Sequence, residues 1–253
     1  MKNSSEISHK RLVAIVTGAS SGIGLAIAQQ LAQQGYDLAL CARRKDRLDA
    51  IAQTLEKSGI TVLAQQVDLR VESQILSFFA AIQAQWGRAD VLINNAGLGH
   101  KESLMTGSTE AWREMLEVNV LALCICTREA IKLMRPADAG HIVHISSMSG
   151  HRVPAIEGIY SATKFAVRSL TETLRRELRA DGSHIRISSI SPGIVETEFA
   201  EKYHQSSEKA EATYGQFPVL QSKDIASAVV YALAQPSHVE VNDILLRPTQ
   251  QSS

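Results

Sequence analysis

The chain has 253 residues, 45% hydrophobic and 21% charged, with 26 basic residues balanced by 26 acidic ones. Ordinary apolar content and zero net charge exclude a disordered chain, and the absence of a basic excess argues against a nucleic-acid surface. This length gives one large domain or two small ones, with enough chain to bury a core.

Residues 1–10 read as a polar N-terminal tail: Met1-Lys2-Asn3-Ser4-Ser5-Glu6 opens without the apolar segment of a secretory signal. The longest strictly apolar run, residues 120–126, falls far short of the roughly 20 residues that a membrane helix needs. Three cysteines, Cys41, Cys124 and Cys126, make no disulfide framework, and an odd count suits a reducing cytoplasm. Cys124 and Cys126 lie two apart in a helical pattern, so they point to different faces and read as small core residues. No cluster has metal-ligand spacing, and no metal is expected.

From residue 11 onward, short runs rich in Val, Ile and Leu recur at 12–16, 38–42, 62–67, 91–93, 141–145, 185–190 and 244–246. They are continuous rather than alternating, as in strands covered on both faces of a parallel sheet. Helical patterns fill the gaps at 22–34, 45–57, 72–85, 109–134, 160–180 and 223–234. The first shows Ile23, Ile27 and Leu31 on one face, with Gly35 placed for a left-handed cap. Strand alternating with helix predicts an α/β fold, a doubly wound parallel sheet of about seven strands forming one domain over 11–249. The polar stretch at about 196–215 breaks the alternation and reads as a lid.

Ligands of such sheets sit beyond the carboxyl ends of the strands, so the residues there carry the chemistry. After the first strand comes Thr17-Gly18-Ala19-Ser20-Ser21-Gly22-Ile23-Gly24. Glycines at this spacing let the backbone turn sharply, approach a pyrophosphate and aim helix N–H groups at its charge. A tight turn that binds nothing could use the same residues. After the second strand stand Arg43 and Arg44, where a carboxylate would hold the ribose of NAD and an arginine the 2′-phosphate of NADP. They favour NADP(H), unless they are simply solvated helix-entry charges. Asp68 after strand three could accept from an adenine amino group, and Asn94-Asn95-Ala96-Gly97 after strand four leaves room for a cofactor; each could also be a turn former.

After strand five the chain reads Ser146-Ser147-Met148-Ser149-Gly150, and the following helix opens with Tyr160 and Lys164. Four residues apart on a helix, a phenol and an ammonium start from one face. A free tyrosine titrates near 10, so proton exchange near neutrality needs a shift worth about 4 kcal/mol, which a neighbouring cation in a desolvated cleft helps to supply. An amphipathic helix with a snorkelling lysine has the same spacing. His144 lies in the apolar stretch of strand five and reads as a structural histidine.

Taken together, TGxxxGxG at 17–24, NNAG at 94–97 and YxxxK at 160–164 resemble the short-chain dehydrogenase/reductase family. The likeness runs from residue 10 to 249 and includes Ser147 thirteen residues before Tyr160, Asn119 between Val118 and Val120, and Pro192-Gly193 followed by Thr197. It implies a Rossmann-like fold and hydride exchange between a nicotinamide and a carbonyl or carbinol carbon. In that reading Tyr160 is the general acid or base, Ser147 polarises the substrate oxygen, and Lys164 binds the nicotinamide ribose while easing ionisation of the tyrosine. Asn119 would hold a water that links Lys164 to solvent. Cofactor contacts fall on Gly18, Ser20, Ser21, Gly22, Ile23, Gly24, Arg43, Arg44, Asp68, Leu69, Asn95, Ala96, Gly97, Tyr160, Lys164, Pro192, Gly193, Val195 and Thr197. The glycine loop carries Ser20 and Ser21 where many NADP-using relatives have a basic residue, so the NADP reading rests on Arg43 with help from Arg44.

The ending Arg247-Pro248-Thr249-Gln250 and the segment 147–152 resemble NADP-dependent 17β-hydroxysteroid or 3-ketosteroid reductase-like members, and more distantly bacterial 3-hydroxy acid or serine dehydrogenases. Leu98, Met148, Val153, Ile156, Ile194, Val195 and Phe199 are candidate substrate walls. Five glutamates over 196–211 against Lys202 and Lys209 suggest a negative field that disfavours anionic substrates and points to neutral carbonyls or alcohols. The resemblance also implies a homotetramer built through the long helices. A catalytically idle NADP-binding sensor is a rival, as are an adenosylmethionine-dependent methyltransferase and an epimerase. The intact Ser147, Tyr160, Lys164 and Asn119 set argues against the sensor, and Ala42 and Arg43 in place of a ribose-binding carboxylate argue against the methyltransferase. The short chain after Pro192 argues against the epimerase.

Overall fold

The computed structural model describes residues 11–154 and 158–252. Seven strands form one parallel sheet in the order β3-β2-β1-β4-β5-β6-β9. They are β1 (Val13–Thr17), β2 (Asp37–Ala42), β3 (Val62–Gln66), β4 (Val91–Asn94), β5 (His141–Ile145), β6 (Arg186–Pro192) and β9 (Asp243–Leu246). Each lies within two residues of the apolar run that predicts it. The tail at residues 1–10 and Ile156 lie outside the described residues.

Alternate residues of each strand serve opposite layers, which is why the runs read as continuously apolar. Ala14, Val16, Leu38, Leu40 and Ile93 pack beneath Ile27, Leu31, Ile225 and Val229, on α1 (Gly22–Gln33) and α9 (Ser222–Leu233). Ile15, Ala39, Cys41 and Leu92 face Phe78, Ile82, Ile125 and Leu133, on α3 (Glu72–Trp86) and α5 (Ala122–Met134). Helices α2 (Lys45–Glu56) and α6 (Gly158–Ala180) complete the two layers. The expected cap of α1 is present: Gly35 takes φ +82°, and Tyr36 N–H reaches back to Leu31 O at 3.1 Å.

One stretch departs from the sequence reading. The helix expected over 109–134 is three pieces, α4 (Thr109–Leu116), a π-turn over Glu117–Leu121, and α5. No glycine or proline marks the break, whose central residue is Asn119. The stretch read as a lid is partly helical. It comprises β7 (Val195–Glu196), α7 (Phe199–His204), α8 (Ser207–Tyr214) and β8 (Leu220–Gln221), with β7 and β8 paired in parallel. Two short strands clamp its base, and the Tyr214 hydroxyl donates to Thr197 O at 2.8 Å while facing the N–H groups of Thr197 and Ala200.

Candidate active site

Strand order reverses between β1 and β4, and the loops leaving those two strands are locked together there. Thr17 Oγ1 accepts from Asn95 N at 3.0 Å and Ala96 N at 3.1 Å, while Asn95 Nδ2 donates to Thr17 O at 2.9 Å and Gly18 O at 3.3 Å. Gly18 turns at φ +68°. A Cβ on Gly24 would come within 2.5 Å of both Asn95 Nδ2 and Gly18 O, so this glycine serves the lock rather than a cofactor approach. Helix α1 then begins with Ser21 extended and no side chain capping its first turn. Those uncapped N–H groups face a cavity of about 1110 Å³.

Every sequence-predicted site residue in the described segments lines this one cavity, except Gly24 and Asn119. Asn119 is 2% exposed, and its amide is spent on structure. Oδ1 accepts from Leu98 N at 2.9 Å, and Nδ2 donates to Leu98 O at 2.8 Å and Thr163 Oγ1 at 3.0 Å. The side chain fixes the loop after β4 to α6, with both Nδ2 protons engaged and one acceptor position of Oδ1 used.

Tyr160 and Lys164 sit on the first turns of α6, both buried, with the Lys164 Nζ 5.8 Å from the centre of the Tyr160 ring. Lys164 Nζ donates to Ile145 O at 3.0 Å, and burial lowers its pKa from the usual 10.5 to about 8. It is thus still cationic at neutrality. Ser147 starts the short 3₁₀ turn Met148–Gly150, its hydroxyl oxygen accepting from Ser149 N at 3.1 Å. Phe199 and Tyr203 of α7 close on the other side, their ring centres 5.5 Å and 6.1 Å from that of Tyr160. Sequence reading missed Tyr203, though its spacing of four from Phe199 puts both on one helical face. His144 is buried between Thr127 and Thr171, and desolvation drops its pKa to about 3, which keeps it neutral and structural.

At the far end of the cavity the two arginines take different positions. Arg43 is half exposed, with Glu114 3.7 Å away, whereas Arg44 folds back onto the glycine loop. Its Nη2 donates to Ser21 Oγ at 2.6 Å and Ser20 Oγ at 3.2 Å, and its Nη1 meets Glu198 Oε2 at 2.6 Å. Both guanidinium groups line the cavity. Asp68 is gripped by Arg70, whose hydrogen bonds hold the carboxyl below its ordinary range.

The negative field expected from the lid is absent from the cavity. Of the five glutamates only Glu198 lines it; Glu196 accepts from Gln221 and Glu201 from Ser207. Six cationic side chains, Arg43, Arg44, Lys101, Arg152, Lys164 and Lys202, line the cavity against two carboxylates, Asp68 and Glu198. Sequence distance could not tell which way the glutamates point. The chain also contributes past residue 249: Gln251 Oε1 accepts from Ile194 N at 2.9 Å, bracing the loop after β6.

The family model described as short chain dehydrogenase matches residues 12–208. The bovine dehydrogenase/reductase SDR family member 11 is 50% identical over 246 residues, covering 94% of this chain and 96% of that protein. The chain belongs to the short-chain dehydrogenase family. A farnesol dehydrogenase of Aedes aegypti is 39% identical over 241 residues, covering 93% of this chain and 95% of its own length. Among solved structures, the closed form of a serine dehydrogenase complexed with NADP+ superposes with a TM-score of 0.90 at 33% identity, covering 96% of this chain and 97% of that one. This short-chain dehydrogenase is accordingly an oxidoreductase of a family that binds nicotinamide cofactors. Its own residues fit such a group: an uncapped helix N-terminus beside the glycine loop, guanidinium groups at the end of β2, and a buried ammonium bonded to Ile145 O at the opposite end. Among the described residues, no helix is long and apolar enough to cross a membrane and no group of His, Cys, Asp and Glu could hold a metal ion.

Proposed function

We propose that this chain interconverts a ketone or aldehyde and the corresponding alcohol with NADP(H), Tyr160 acting as the general acid or base. The observation that carries this reading is the buried Lys164 ammonium beside the Tyr160 ring, in the same cavity as Ser147. A bound nicotinamide supplies the hydride in reduction and takes it up in oxidation. In reduction the Tyr160 hydroxyl hands its proton to the substrate oxygen, and the Ser147 hydroxyl donates a hydrogen bond to that oxygen as charge builds on it. Lys164 stabilises the phenolate left behind, and its remaining N–H donors suit the nicotinamide ribose. Asn119 is assigned a positioning role, through Leu98 and Thr163, beside the relay that the family resemblance implies. Arg44 is assigned the 2′-phosphate of NADP, and the uncapped start of α1 the pyrophosphate.

Leu98, Met148, Val153, Ile194, Phe199 and Tyr203 line the part assigned to the carbon skeleton of the substrate. Lys101 and Arg152 in the same lining favour a second reading, a 3-hydroxy acid such as the substrate named for the serine dehydrogenase neighbour. A spectrophotometric panel of neutral ketones, aldehydes, steroids and 3-hydroxy acids with NADPH or NADP+ separates the two. Tyr160→Phe should abolish turnover on whichever substrate responds while NADPH still binds within severalfold of wild type; retained turnover would remove the assignment. A homotetramer through the long helices, where Leu116, Leu121 and Phe165 are exposed, and a reducing cytoplasmic location complete the proposal. Light scattering checks the assembly.

A further inference from the structure

The guanidinium of Arg44 has no unengaged edge. Nε and Nη2 donate to Ser20 Oγ at 3.3 Å and 3.2 Å, Nη2 also reaches Ser21 Oγ at 2.6 Å, and Nη1 is 2.6 Å from Glu198 Oε2. The other oxygen of Glu198 lies 2.5 Å from Arg47 Nη1, and Lys202 Nζ stands 3.5 Å from Oε2. Glu198 thus spans the two arginines that flank the start of α2, as a small dianion bridging two guanidinium groups would. Hydrogen bonds from Arg47 and Arg44 bring its pKa down to about 2, so it is ionised at any working pH.

A phosphate monoester gripped by Arg44 needs two in-plane N–H groups and brings close to two negative charges of its own. The serine hydroxyls are neutral and can rotate away, but a carboxylate sharing the same fork repels the incoming phosphate. We propose that Glu198 is a specificity-determining residue: an internal anion occupying Arg44 that the cofactor 2′-phosphate has to expel, and that therefore weakens NADPH binding while leaving NADH binding untouched. The inference rests on the NADP reading above, with Arg44 as the phosphate partner. A cofactor without the phosphate leaves the Glu198 bridge intact, so the residue narrows the preference that Arg44 creates.

The test is the ratio of NADPH to NADH dissociation constants, by fluorescence titration of the full chain as wild type, E198Q and E198A. Both variants should tighten NADPH by about three- to tenfold and leave NADH within about twofold, because one exposed charge pair is removed from competition. An unchanged ratio, an equal tightening of both cofactors, or weaker NADPH binding in the variants overturns the assignment, whatever the wild-type preference is. The NADP reading fails separately: it is lost if NADPH binds no tighter than NADH in the variants, where the competing anion is gone. Circular dichroism melts of the two variants verify that the comparison is between folded proteins.

Discussion

Removing the Asn119 amide should loosen the site from below. Asn119→Ala deletes the acceptor for Leu98 N–H and the donor to Leu98 O, at 2.9 Å and 2.8 Å, together with the bond to Thr163 Oγ1. Thr163 keeps a partner, since its hydroxyl donates to Tyr160 O at 2.7 Å. The two Leu98 backbone groups do not, and a stranded polar group in a buried setting costs about 1–3 kcal/mol. Water reaching half-buried Leu98 offsets part of this, leaving a net loss of about 3 kcal/mol. For a chain of this size that lowers Tm by about 6–12 °C. Differential scanning calorimetry reads the stability, and a parallel NADPH titration should show weaker binding, because Leu98 continues directly from the Asn95-Ala96-Gly97 wall of the cavity. A variant that melts with the wild type and binds NADPH equally well, losing only turnover, would show that the amide serves proton transfer and that the positioning argument is wrong.

Two further outcomes follow from the geometry. Folded Lys164 releases its proton near pH 8, whereas the unfolded chain holds it to 10.5. The unfolded state therefore binds more protons between those values, and this lysine makes stability rise with pH across that window, by about 3 kcal/mol in full. Lys164→Met lacks the effect, so the stability advantage of the variant over wild type in urea should shrink from pH 8 to 10.5; a constant difference would contradict the buried charge. Gly24→Ala should cost upward of about 3 kcal/mol, since its Cβ would meet two backbone-lock atoms at 2.5 Å. Gly97→Ala should fold normally, its Cβ finding ordinary contacts at 3.4 Å with Asn119 Oδ1 and 3.5 Å with Lys164 Nζ. Thermal melts that rank these two variants the other way would refute the account of the glycine loop.

Strands, their parallel arrangement and most helices were readable in the sequence because burial on both faces leaves unbroken apolar runs, and period 3.6 leaves Ile27 and Leu31 on one stripe. The positions of Ser147, Tyr160 and Lys164 were readable because each sits at a fixed distance from a strand end or a helical turn. What spacing cannot carry is direction. Arg43 and Arg44 are equivalent as letters, yet only Arg44 turns to the glycine loop. The lid glutamates look like one field, yet of the five only Glu198 lines the cavity. Asn119 is identified by pattern alone, and its hydrogen bonds to Leu98 arise from a contact across 21 residues that no local rule anticipates.

The five-residue π-turn between α4 and α5 holds one residue more than regular winding would use. Excising a single position from this stretch would allow the two helices to fuse into a better hydrogen-bonded rod. The fused rod would turn Asn119 by about 100° relative to one flank and leave Leu98 without its anchor. Engineering for heat tolerance that straightens this helix therefore works against turnover, and the irregular winding is best left intact when the rest of the scaffold is reinforced.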